Sequence, residues 1–280
     1  MPYKRAYLWV SLVGLLTIPA FWRGYFSQLS TAPVEMHAHA VTATLWLVLL
    51  AAQAWAAQGR ERLGLHRTLG RASLFFFPFF MASAMLIVWS MAYNTAFGDS
   101  IIYREHGEGL GAYDLVSVAA ILWFYFEALK SRRQVHVHAR FMIGTLFALL
   151  GPIFARLVAI PLFITLGDSF PPPSIFYAAL VIAQVGAFFV ALWLLRGIPL
   201  QGVRPMRWVV GLTVVQMAAF SLFRLSDGWR EIFMAMGATP SWAWAALGFV
   251  LGVLVTWRGW EAGKANAPNP GAQPEPARQV

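Results

Sequence analysis

The sequence predicts an all-α integral membrane bundle of about eight transmembrane helices, with the N- and C-termini cytoplasmic. Three observations carry this. Hydrophobic residues are 59% of the 280-residue chain and charged ones 12%, about half the charged share of an ordinary soluble domain. The apolar residues come in runs of about 20, which at about 1.5 Å per residue span a hydrocarbon core of about 30 Å. The 21 Lys and Arg are also unevenly placed. With the runs taken as alternating spans, sixteen fall on one side, three (Arg23, Arg104, Arg230) on the other, and two (Arg156, Arg224) inside helices. That asymmetry marks a cytoplasmic face.

The first helix is expected at about residues 6–22, behind Lys4 and Arg5. It resembles a signal peptide, but no small-residue cleavage site follows, so it is read as the first span. The second, at about 36–58, runs from His37 and His39 to a turn rich in arginine (Arg60, Arg62, Arg67, Arg71) that also holds His66. The third covers about 72–92, with Pro78 as a kink. An outer loop then carries Asp99, Glu105, Glu108 and Asp114 against a single base, Arg104. The fourth helix, about 112–129, ends at Lys130, Arg132 and Arg133; the fifth runs from about 139 to 165. The sixth (about 174–195), seventh (about 208–225) and eighth (about 241–257) complete the bundle. Tryptophans near the expected ends, such as Trp9, Trp22, Trp55, Trp193 and Trp257, fit an interfacial belt. Residues 1–263 thus form one transmembrane domain, and the Pro-, Ala- and Gln-rich stretch 264–280 reads as a disordered tail.

Composition narrows the function. There is no cysteine, which excludes disulfides, thiolate zinc sites, iron–sulfur clusters and c-type haem attachment. The net charge of +9 is accounted for by the loop bias, so nucleic acid is not an expected partner; the lipid bilayer is. All three lysines (Lys4, Lys130, Lys264) lie outside the spans, leaving none for a retinal Schiff base. The chain contains no HExxH, no HxxxH pair and no phosphate-binding Gly-Lys loop.

The candidate chemistry rests on histidines and one arginine. Residues two apart on a helix point about 200° apart, so His37 and His39 cannot face the same point. His39 shares the more polar stripe with Thr42, Trp46 and Gln53 and is a candidate axial haem or metal ligand; the alternative makes both histidines interfacial polar residues. At the other membrane face, His66 meets His136 and His138, which open the fifth helix. These imidazoles suit a metal or a haem, although the arginines Arg67 and Arg71 beside His66 and Arg140 near His138 suit lipid phosphates equally. The metal candidates are therefore His37, His39, His136 and His138. His37-Ala-His39-Ala and His136-Val-His138-Ala also raise the reading of an inverted repeat. Arg156 lies about ten residues from the end of its helix, about 15 Å deep. A charge at that depth calls for a partner. Eighteen residues separate it from His138, so the two share a stripe with Thr145 and Pro152. Asp114 is the expected partner if Arg156 reaches outward; otherwise Arg156 holds an anionic group such as a haem propionate or a lipid head. Arg224 has Asp227 within one turn as a local partner.

LHRTLGR entering the third helix, HARFM entering the fifth, and an arginine sixteen residues beyond Arg140 are a connected set. Together they resemble a family of uncharacterised bacterial polytopic membrane proteins with a His-Arg-x-x-Gly-Arg turn and a His-x-Arg-x-Met helix start. The matching residues are His66, Arg67, Gly70 and Arg71, then His138, Arg140, Met142 and Arg156. The likeness covers about residues 36–160 and implies a multi-pass protein of the bacterial inner membrane; it brings no activity with it. Two functional expectations follow from the residues. The first is a redox or electron-transfer protein binding haem b through His39, His66 and His138 with Arg156 nearby, working with quinone or another membrane protein. The alternative is a transporter of a small anion or lipid with Arg156 as counter-charge and Gln53, Gln184 and Gln216 along a polar path, or a non-catalytic membrane scaffold.

Overall fold

A computed structural model describes residues 3–167, 169, 171–196, 198–199 and 202–265. The described residues are helical and contain no strand. In chain order they form α1 (Ala6–Phe21), α2 (Val34–Ala56), α3 (Leu63–Phe97), α4 (Ile101–Lys130), α5 (Val135–Leu166), α6 (Pro172–Leu195), α7 (Arg204–Phe223), α8 (Asp227–Gly237) and α9 (Ser241–Ala265). Seven of these are long and apolar enough to cross a membrane, and the 16-residue α1 is the short eighth. The tail beyond residue 265 lies outside the described residues.

The helices differ from the expected spans chiefly in length. The acidic segment read as a loop before residue 112 is helical: α3 continues to Phe97 and α4 starts at Ile101, leaving only residues 98–100 as a connection. Gly98 makes that tight turn possible, because a Cβ there would press on the Asn94 carbonyl. The turn read around His66 is likewise reduced to a 3-10 turn, Arg60–Arg62, so His66 and Arg67 stand on α3. Charge and glycine signalled loops here, but helices longer than the bilayer carry their polar ends out past it.

The helices α1 to α5 close a ring in chain order: each packs on the next, and α5 returns to α1. Its middle is filled. Trp46 of α2 stacks on Phe80 of α3 and meets Tyr125 of α4 edge-on, while Phe77 stacks on Tyr125 at 3.8 Å. The Trp46 Nε1–H donates to Thr145 Oγ1 of α5 at 3.3 Å, and Ser73 and Tyr125 join hydroxyls at 3.1 Å. All four rings are fully buried, and each of the polar atoms has a partner, as burial away from water demands.

Outside the ring, α6 and α7 pack against α4 and α5, and α9 packs along α3 and α4. Close approach of α9 to α3 comes from Gly248 and Gly252, a small-xxx-small pair. A Cβ on Gly252 would lie 2.6 Å from the Pro78 Cα. The short α8 lies against the far end of α3; the Ser226 hydroxyl accepts from the Trp229 N–H at 3.3 Å to cap its start.

Candidate functional site

One end of the bundle gathers the basic residues of the α2–α3, α4–α5 and α6–α7 connections. It is called here the basic end, and its opposite the far end. The ring holds polar groups at each, separated by the aromatic plug.

At the far end, His39 of α2, Tyr103 and Asp114 of α4 and Arg156 of α5 come within electrostatic reach of one another. Protein surrounds them, and all four residues are half-buried. Asp114 stands thirteen residues into α4, inside a helix rather than in the expected outer loop. The expected Arg156–Asp114 ion pair does not form. The Arg156 guanidinium donates to its own Pro152 carbonyl at 2.9 Å and lies over the Phe21 ring at 4.4 Å. Among the described residues it has no carboxylate partner, and Asp114 has no side-chain hydrogen bond. His39 Nδ1 is buried with no partner. His37 turns away: its Nδ1 meets the Tyr25 hydroxyl at 2.9 Å, clasping the α1–α2 link.

At the basic end, His66 and His138 are near enough for their charges to interact. Each is held by its Nδ1, His66 against the Gln53 carbonyl at 3.3 Å and His138 against the Ala128 carbonyl at 2.8 Å. At His138 an Nδ1–H held by a carbonyl presents Nε2, the arrangement a metal-ligating histidine uses, whereas Nδ1 of His66 accepts from the turned Gln53 amide. With its amide nitrogen turned to His66, Gln53 accepts from the Gly70 N–H at 2.6 Å and ties α2 to α3. That places Gln53 in the His66 anchor rather than on a polar path. His136 is exposed, as are Arg67 and Arg71. Among the described residues no three His, Asp or Glu gather as a metal-ion site. Arg140 is buried and donates to the Gly202 carbonyl at 3.0 Å, sealing the α6–α7 connection.

Three clusters were not foreseen. Tyr113, Gln184, Gln216 and Ser117 form a closed buried network: the Tyr113 hydroxyl donates to Gln184 Oε1 at 3.2 Å, and Gln216 Nε2 to Ser117 Oγ at 2.8 Å. The two glutamines therefore satisfy each other and line no open path. Buried Glu127 takes Lys130 at 3.0 Å and Arg204 at 3.3 Å. Arg230 takes Glu108 at 3.0 Å. Arg224 does not pair with Asp227; it lies over the Tyr177 ring at 4.7 Å. His106 is buried on α4 against α6, its Nε2 facing the Pro173 carbonyl at 3.0 Å.

No family model matches the chain, and neither the curated proteins nor the solved structures hold a match to it. Fold and site together define a class, a multi-pass helical membrane bundle whose five-helix ring carries a separate polar site at each end.

Proposed function

We propose that the protein is a transporter-like binder of a small oxyanion, free or as a lipid headgroup, with Arg156 as the counter-charge. The observation that supports it is the state of Arg156: a half-buried, membrane-depth guanidinium with one internal hydrogen bond, beside an acid with which it forms no ion pair. A charge there is tolerated when it faces a cavity and meets a partner. An oxyanion fills that need, because guanidinium matches its planar pairs of oxygens. His39 and Tyr103, both within electrostatic reach of Arg156, are the neighbouring polar groups. In this reading the basic end faces the cytoplasm of a bacterium, and the chain belongs with the family its His66–Arg71 and His138–Met142 motifs resemble.

Titration of the detergent-purified protein with inorganic phosphate and with glycerol phosphate, followed by calorimetry, tests it. Saturable binding that Arg156→Gln abolishes is the expected result. Tighter binding of glycerol phosphate assigns a headgroup, tighter binding of phosphate a free anion. If neither ligand binds, or Arg156→Gln binds as wild type, the reading fails.

The carbonyl-anchored His138, with His66 beside it, favours a second reading, haem b or a single metal ion held by these two histidines. The donor chemistry suits an axial ligand pair. The packing suits haem less, since the aromatic plug closes the ring between these histidines and His39. An oxidised and dithionite-reduced absorption spectrum decides: a Soret band lost in His138→Ala supports haem, and a colourless protein expressed with haem supplied rules it out.

A further inference from the structure

A groove of about 360 Å³ runs between α3 and α9 in the half of the bundle near the basic end. Leu74, Phe75 and Phe79 line one wall, and Phe249, Val253 and Trp257 the other. Its α9 wall, residues 249–260, is about 16 Å long at 1.5 Å per residue. Both helices cross the membrane here, so hydrocarbon is the solvent that bathes it. The groove exists because Gly252 sits against Pro78 and brings the two helices together beneath flanking aromatic side chains.

The charge at its end is specific. On α3, Arg67, Arg71, Leu74 with Phe75, and Pro78 follow one another at spacings of three and four, so they share one stripe. That stripe passes from two exposed arginines directly into the apolar groove. Neither arginine has an ion pair among the described residues. On α9 the corresponding stripe passes through Trp257 and Trp260; Trp257 is 54% exposed, placed as an interfacial tryptophan is. Arg132 covers the Trp260 ring at 4.3 Å and donates to its carbonyl at 2.8 Å, closing the groove's upper corner with a further positive charge.

We infer that this groove is a binding site for an anionic phospholipid, with an acyl chain between α3 and α9 and the phosphate at Arg67 and Arg71. The stripe places the cations one to two turns above the apolar walls, which is how a phosphate stands above its chain. Each arginine near a headgroup attracts anionic lipid, and the groove holds the chain in register. The site is independent of the Arg156 crevice, which lies at the far end.

The test is native mass spectrometry of the full chain in detergent with equal amounts of phosphatidylglycerol and phosphatidylcholine. Wild type should retain phosphatidylglycerol at least about fivefold over phosphatidylcholine, the order expected of one interfacial arginine and the floor for two. Arg67→Gln with Arg71→Gln, both exposed and safe for folding, should bring the ratio to parity. Val253→Trp, which fills the groove, should lower retention of both lipids. Arg23→Gln, at an exposed arginine of the α1–α2 link at the far end, should leave the ratio unchanged. Equal retention by wild type overturns the inference, as does a preference that survives the double arginine variant or is lost in Arg23→Gln. A lipid-free dimer that Val253→Trp dissociates would also overturn it, by giving the groove to a second copy of the chain.

Discussion

Gln216 of α7 donates a hydrogen bond to the carbonyl oxygen of Ala148 on α5 at 3.4 Å, and that carbonyl is the one Pro152 leaves free. Proline has no N–H to return to the residue four before it, so α5 carries an orphan acceptor deep in the bilayer. Water cannot reach such a group. A side chain from a neighbouring helix supplies the bond, and the same amide also donates to Ser117 Oγ at 2.8 Å. The proline of α5 and the buried glutamine of α7 are thus two halves of one arrangement.

Gln216→Leu should therefore destabilise the bundle although Leu is the more lipophilic residue. It strands the Ala148 carbonyl and removes a donor from Ser117, a cost of about 1–3 kcal/mol in all. Thermal unfolding in detergent, followed by tryptophan fluorescence, measures it. Leu at 216 with unchanged stability would mean the Ala148 carbonyl finds another donor.

Close packing of α9 on α3 gives a second outcome. Gly252→Val places a branched side chain where a single Cβ already comes 2.6 Å from the Pro78 Cα, and backbone cannot step aside. A loss of about 1–3 kcal/mol is expected from overpacking. Gly211→Ala on α7 is the control, because nothing lies within 4 Å of its added Cβ; it should be neutral or slightly stabilising.

These contacts show what the sequence could and could not reveal. Helix existence, the crowding of bases at one end and the shared stripe of His138, Thr145 and Arg156 all follow from periodicity and charge, and the structure holds each. Helix ends did not follow: acidic residues and glycines at 98–111 read as a loop, and with that Asp114 was set at a helix mouth instead of beside Arg156. The pairings between distant helices were also illegible, since nothing local to Gln216 names Ala148 and nothing near Glu127 names Arg204. The GFVLG motif at 248–252 was the one visible signal of the α3–α9 contact.

Glu127 offers a test of buried charge. Its carboxylate side chain is 2% exposed and is held by two bases that are themselves 37% (Lys130) and 62% (Arg204) exposed. Removing either base alone should cost less than about 1 kcal/mol, since each exposed arm is weak and the other remains. Removing both leaves an uncompensated buried charge and should cost about 3–5 kcal/mol. A double-mutant cycle reads the excess over additivity. Additive losses would show that one base alone carries the pair.

Asp114 makes the proposed oxyanion site sensitive to pH. Arg156 and Asp114 together are neutral, so an anion entering between them leaves the crevice with a net negative charge inside the membrane. Such a charge is expensive, and the group best placed to relieve it is Asp114 itself, by taking up a proton as the anion binds. Proton uptake on binding means that affinity rises as pH falls, by linkage. Phosphate titrations across the neutral range in two buffers of different ionisation enthalpy would report the proton taken up directly. Asp114→Asn should bind at least as tightly as wild type near neutrality and lose most of the pH dependence, because its amide needs no proton. Arg156→Gln should not bind at any pH. Were Asp114→Asn to retain the full pH dependence, the proton would belong to the ligand or to His39, and Asp114 would have no part in setting the charge of the site.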